Sequence, residues 1–175
     1  MSKKILKADF VFEYVIRDVN LLYWNKRIAA MKKGKKMERY KVILVDDEAE
    51  VIDMIEKKIH WNDLGFEVAG SATNGVKALE LVEKLQPDVV LTDIKMPYMD
   101  GLELSRRLNR EYPNIYIMLC TGFDEFEYAK EAVHLEIKEY MLKPVNATEL
   151  SESLTNLKHT LDREREEKLN VKKIK

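Results

Sequence analysis

The sequence predicts an α/β protein: a doubly wound, five-stranded parallel sheet in the order 2-1-3-4-5, with helices on both faces. Two observations carry that expectation. Short apolar or β-branched runs at 41–45, 66–72, 88–93, 115–120 and 139–142 alternate with stretches whose apolar residues recur at helical spacing. The run opening at Pro87 is bounded by Pro at one end and by Pro, Asp and Gly at the other, as a buried strand followed by a turn is. Alternating strands and helices imply a parallel sheet covered on both sides. Right-handed crossovers then leave few topologies, of which this strand order is the common one.

Each element has its own signal. The first strand, 41–45, ends on Asp46-Asp47-Glu48. The helix after it carries Val51, Ile52, Ile55 and Ile59 on one face, with Leu64-Gly65 as its expected stop. A second strand covers 66–72, and Asn74-Gly75 turns the chain into a helix with Ala78, Leu79, Val82 and Leu85. The third strand, 88–93, ends on Asp93 and leads to a helix at 101–111 with Leu102, Leu104 and Leu108. Strand four ends on Thr121-Gly122, a fourth helix is expected at 124–134, and strand five is followed by Lys143-Pro144. Asn146-Ala147-Thr148-Glu149 reads as the capping box of a last helix. Its Leu150, Leu154, Leu157 and Leu161 form a stripe that weakens toward Leu169, so residues 161–175 read as a charged extension, a linker or a dimer coil.

Composition narrows the class. The chain has 175 residues, 46% of them hydrophobic, enough to bury a sizeable core. No stretch reads as a membrane span or a signal peptide, so a cytoplasmic location is expected. A single cysteine, Cys120, excludes an internal disulfide framework or a CxxC zinc site. It lies in an apolar run and is expected to be buried and inert. The net charge of −1 conceals an asymmetry: residues 1–40 hold eleven Lys/Arg against four Asp/Glu, a net of +7, which leaves −8 for the rest. Residues 1–36 therefore read as a separate basic and amphipathic extension, and the run Lys32-Lys33-Gly34-Lys35-Lys36 as a solvated linker. We expect this extension to be translated upstream sequence ahead of a native start at Met37. The main domain is expected over 37–160.

The chemistry gathers at the strand ends. In a parallel sheet Asp46, Asp47, Asp93, Thr121 and Lys143 share one edge, the edge where open α/β sheets bind ligands. Two like charges at about 4 Å repel by about 4 kcal/mol at an effective dielectric of 20. Such carboxylates must hold protons at raised pKa or hold a hard cation, and Mg²⁺ suits carboxylates without His or Cys partners. With Lys143 and Thr121 the parts suit a phosphoryl group, with Asp93 as nucleophile. Each piece alone has a plainer reading: an acid after a strand as a helix N-cap, Lys143-Pro144 as a loop, Thr121 as a turn residue.

Residues 40–160 resemble the receiver domain of two-component response regulators, the CheY-like, flavodoxin-like fold. The matching motifs are Val45-Asp46-Asp47-Glu48, Asp93-Ile94-Lys95-Met96-Pro97 with Asp100-Gly101, Thr121-Gly122 and Tyr140-Met141-Leu142-Lys143-Pro144. The stretches 61–70 and 121–129 look like the YesN subgroup, which usually carries an AraC-type DNA-binding domain. The resemblance implies a phosphoacceptor signalling domain that catalyses only its own phosphotransfer and dephosphorylation. Asp93 would be the acceptor, and a separate sensor histidine kinase the donor. Asp47, Asp93 and the backbone carbonyl of Lys95 would ligate Mg²⁺, with Asp46 acting through water. Lys143 would pair with the phosphoryl group through a cis bond to Pro144, and Thr121 and Tyr140 would be the switch pair. Periodicity alone would make Tyr140 an ordinary half-buried aromatic.

A homodimer through the fourth helix, strand five and the last helix is a further implied partner. The implied output is transcription through a DNA-binding domain not in this chain. No nucleic-acid contact is expected within these residues, since the tract 163–168 reads as a solvated helix face. One departure is Glu136, where the family usually has Gly, so the junction before strand five is expected to differ. A Mg²⁺-dependent phosphohydrolase with an Asp nucleophile and a receiver-like module that is never phosphorylated remain alternatives. The first lacks the Asp-x-Asp spacing and a cap insertion, and a labelling experiment decides the second.

Overall fold

The computed structural model describes residues 38–122, 135, 137 and 139–173. The extension expected at 1–36, the helix at 124–134 and the departure at Glu136 lie outside them. Five strands form one parallel sheet: β1 (Tyr40–Val45), β2 (Phe66–Ala72), β3 (Val89–Asp93), β4 (Tyr116–Thr121) and β5 (Glu139–Leu142). Their order is β2-β1-β3-β4-β5, as expected. The described helices are α1 (Ala49–Lys58), α2 (Gly75–Leu85), α3 (Gly101–Glu111) and α4 (Ala147–Lys173).

Alternation along the strands divides the core in two. Val42 and Leu44 of β1 pack with Ile52 and Ile55 of α1 and with Leu150 and Leu154 of α4. Ile43 and Val45 turn to the other face and meet Ala78 and Val82 of α2 and Leu104 and Leu108 of α3. This is the period-two geometry of a strand with both faces covered. The central strand β3 is buried along its whole length, so its side chains cannot move without disturbing both layers.

Helix ends follow local chemistry. Asn74 accepts a hydrogen bond from the backbone N–H of Lys77 at 3.0 Å, and Asp100 accepts one from that of Glu103 at 2.8 Å. Each supplies an acceptor for an N–H that has no partner within its helix. Asn146 does the same for Thr148 and Glu149. The stop expected for α1 at Leu64-Gly65 comes earlier. The helix ends at Lys58 and Ile59 is extended, after which 60–65 form a turn that Gly65 closes at φ 86°. Trp61 explains the difference: its ring is buried and its indole N–H donates to the Glu56 carbonyl at 3.2 Å. A continuing helix would lose both the burial and that cap. Among the described residues no helix is long and apolar enough to cross a membrane.

Helix α4 runs for 27 residues, about 40 Å at 1.5 Å per residue. Leu150, Leu154 and Leu161 are buried against the sheet. Contacts persist past that stripe. The Tyr40 hydroxyl donates to Asp162 at 2.9 Å, the Tyr116 hydroxyl donates to Glu164, and Arg165 lies 4.9 Å from the Tyr40 ring centre.

Candidate functional site

The sheet brings the predicted residues to its carboxyl edge. Asp93 is the last residue of β3, in register with Cys120 of β4, and is 7% exposed. Asp46 follows β1, with its N–H donating to the Ala72 carbonyl at 3.1 Å. One of its carboxylate oxygens accepts from the Glu48 N–H at 2.9 Å. The other accepts from Lys143 Nζ at 2.7 Å. Lys143 follows β5, and its backbone N–H donates to the Thr121 carbonyl at 2.7 Å, extending the β4–β5 pairing by one step. Its ammonium also lies 3.2 Å from Asp93 Oδ1, so one cation bridges two carboxylates from different strands. The Lys143-Pro144 bond is cis, as the resemblance implied.

Asp47 is exposed beside this pair, and oxygens of Asp46, Asp47 and Asp93 lie within 4.8 Å of one another. Thr121 is buried at the end of β4, and its hydroxyl donates to the Gly122 carbonyl at 3.3 Å. Tyr140 is half-buried on β5, paired with Leu119, two steps before the Thr121–Leu142 pair. The Lys95 side chain is exposed in the loop after β3.

The electrostatics follow from this packing. The Lys143 ammonium pairs with Asp46 and Asp93, and Asp47 belongs to the same acidic cluster. Burial pushes the Asp93 carboxyl up from 3.8 to about 6; Lys143 opposes the rise and Asp46 adds to it. Burial alone would lower the Lys143 pKa, but its bonds and charge pairing with Asp46 and Asp93 outweigh that and raise it. The remaining negative charge, offered entirely by oxygen donors a few ångströms apart, fits a small hard divalent cation. Cys120 borders the site from below. Its thiol is buried and pushed up to about 12, first by desolvation, which makes it a poor nucleophile.

Two glycines do more than the sequence reading assigned to them. A Cβ on Gly101 would stand 2.0 Å from the Asp93 carbonyl oxygen, and the Gly101 N–H donates to the Ile94 carbonyl at 2.7 Å. Glycine thus lets the start of α3 rest directly on the backbone of Asp93. A Cβ on Gly75 would lie 2.6 Å from Met99 Cγ, and the Gly75 N–H donates to the Met99 carbonyl at 3.1 Å. The loop after β3 is therefore held at both ends. The Asp100-Gly101 pair was visible as a loop signal, whereas nothing local in Asn74-Gly75 pointed to Met99.

Comparison with known proteins agrees with this arrangement. Residues 42–155 match the sequence family described as the response regulator receiver domain, and the chain belongs to that family. It is similar to the uncharacterized transcriptional regulatory protein YesN of Bacillus subtilis (strain 168), with 42% identity over 125 residues, 71% of this chain and 34% of YesN. It is also similar to the transcriptional regulatory protein HptR of Staphylococcus aureus (strain NCTC 8325 / PS 47), with 34% identity over 70% of this chain and 48% of HptR. The match thus spans about a third to half of the length of these relatives. Among solved structures, the receiver domain of AraT, a response regulator from Geobacillus stearothermophilus, superposes with a TM-score of 0.69 at 39% identity, covering 72% of this chain and 98% of that one.

Proposed function

We propose that this chain is a phosphoacceptor switch in which Asp93 takes a phosphoryl group from the phosphohistidine of a partner kinase. The observation that carries this is the Lys143 ammonium held between Asp93 and Asp46, 3.2 and 2.7 Å away, with Asp47 completing the acidic cluster. In the transfer, an Asp93 oxygen forms a bond to phosphorus as the phosphorus–nitrogen bond to the donor imidazole breaks. The leaving imidazole keeps the bonding pair and takes up a proton. Lys143 changes partners along the way, from the free carboxylate toward the incoming phosphoryl oxygens. The buried Thr121 hydroxyl turns from the Gly122 carbonyl to one of those oxygens, and the space it vacates favours an inward Tyr140 ring.

Asp46, Asp47, Asp93 and the Lys95 carbonyl would hold Mg²⁺, which when bound offsets charge on the phosphoryl oxygens. Sequence similarity to transcriptional regulatory proteins supports gene regulation as the output, exerted through a domain beyond the matched segment.

The test is labelling by a small phosphodonor such as acetyl phosphate with Mg²⁺, read as a mass increase of one phosphoryl group. The wild-type chain should label and Asp93→Asn should not. Equal labelling of that variant would remove Asp93 from the role.

A further inference from the structure

The loop that leaves Asp93 contains a strained residue that the proposed transfer chemistry does not use. Tyr98 has φ 68°, and the Met99 N–H donates to the Pro97 carbonyl across it at 2.8 Å. A hydrogen bond spanning three residues with positive φ at the centre is the rare, strained form of the γ-turn. Glycine or asparagine takes such a position at least cost; a bulky aromatic there is an outlier. The turn projects the ring into solvent, where it is 91% exposed. Its neighbours are fixed: Met99 is buried and bonded to Gly75, and Gly101 rests on Asp93. Tyr98 is thus an aromatic held in a strained turn, with its ring directed to solvent.

Among the described residues the exposed large hydrophobics fall in two places. Leu169 and Val171 lie far along α4, whereas Val76 (44%), Tyr98 and Leu142 (43%) all lie at the carboxyl edge of the sheet. Val76 opens α2 beside Gly75, and Leu142 directly precedes Lys143. The Asp93 side chain, at the same edge, is only 9% exposed. A donor imidazole reaching Asp93 must approach from this edge, where the Tyr98 ring stands out from the loop that leaves Asp93. A small phosphodonor need not touch that ring.

We propose that Tyr98 is the docking anchor for the phosphohistidine protein that serves Asp93, and sets transfer from that protein without taking part in the chemistry. This rests on the assignment of Asp93 as phosphoacceptor. An exposed aromatic held rigidly in place is the kind of side chain that dominates binding energy at protein interfaces.

The test measures two donors on the whole chain. One is phosphoramidate, and the other is whichever member of a panel of autophosphorylated histidine kinases transfers fastest to the wild type. Tyr98→Asn removes the ring while suiting the left-handed backbone, and Tyr98→Phe keeps the ring. We expect Tyr98→Asn to lower the second-order transfer rate from the kinase by about tenfold or more, chiefly by raising the acceptor concentration needed for half-maximal rate. Phosphoramidate labelling should stay within about twofold, and Tyr98→Phe should resemble wild type in both assays. An unchanged kinase rate in Tyr98→Asn overturns the inference, and so does an equal fall with both donors, which would assign Tyr98 to shaping the site. No phosphoramidate labelling of the wild type would instead defeat the phosphoacceptor assignment, and this inference with it.

Discussion

At the residue scale the buried Asp93 carboxyl opposes folding near neutral pH. Asp93 has its pKa raised by burial, so the folded protein holds its proton more tightly than the unfolded chain does. A raised pKa contributes stability that is fully present below 3.8 and is lost as pH rises through about 6. Near neutral pH the ionised Asp93 is therefore a liability, and the rise from 3.8 to about 6 corresponds to at most about 3 kcal/mol. In the presence of a chelator, Asp93→Asn should be more stable than wild type at pH 7.5 in urea titrations, and the advantage should disappear near pH 4. A variant less stable than wild type at pH 7.5 would show that Lys143 already compensates the charge. Mg²⁺ should stabilise the wild type more than the variant, since a cation that binds the folded state adds stability by mass action. Cys120 makes a plainer case. Its buried thiol, pushed up to about 12, should resist a thiol-reactive disulfide reagent at pH 8 and react stoichiometrically once denatured.

At the scale of elements the strands and most helix starts were legible, because alternation of apolar runs and side-chain caps are local signals. Strand β5 at Glu139–Leu142 and helix α3 at Gly101–Glu111 match the expected spans. The early stop of α1 was not legible, because it depends on where Trp61 is buried, a tertiary event that overrides a helical apolar pattern. The course of α4 was hidden for a related reason. Its apolar stripe fades after Leu161, yet Asp162, Glu164 and Arg165 are engaged by two tyrosines that begin β1 and β4. Polar anchoring leaves no periodic trace in the sequence. This clamp has a measurable signature: burial, followed by the hydrogen bond to Glu164, raises the Tyr116 phenol to about 12, and Tyr40 is raised further for the same kinds of reason. Their contribution is intact below pH 10 and should be lost as pH rises through the folded values, so both should titrate late in an alkaline absorbance titration. Removing the hydroxyl in Tyr116→Phe should cost about 1 kcal/mol by urea denaturation. It should also speed amide exchange in the last turns of α4, and unchanged exchange there would mean the clamp does not hold the helix.

At the scale of the whole molecule the strand-end constellation was readable in the sequence because a parallel sheet converts distant motifs into neighbours. Asp46, Asp93, Thr121 and Lys143 are up to 97 positions apart in the chain and meet at one edge. The same architecture limits what the proposed phosphorylation could do. Moving a two-state molecule from about 1:99 to 99:1 takes about 5.5 kcal/mol of differential stabilisation. One hydrogen bond to a charged group supplies about 1.5–3 kcal/mol, so the Thr121 hydroxyl could not throw the proposed switch alone. On the proposed reading, part of the remainder would come from Lys143, whose ammonium, now between two carboxylates, would turn toward the new phosphoryl charge, and whose backbone N–H ties the end of β5 to Thr121 of β4. Thr121→Val, which keeps the shape of the buried side chain, should therefore label with acetyl phosphate at close to the wild-type rate yet respond only in part. In hydrogen exchange read by mass spectrometry, labelling the wild type should change protection across β5 and the first turns of α4. In Thr121→Val that change should shrink without vanishing. A full response would place the coupling outside the hydroxyl, and complete loss would place it entirely in the hydroxyl, so the residual fraction measures the share carried by Lys143 and the rest of the site.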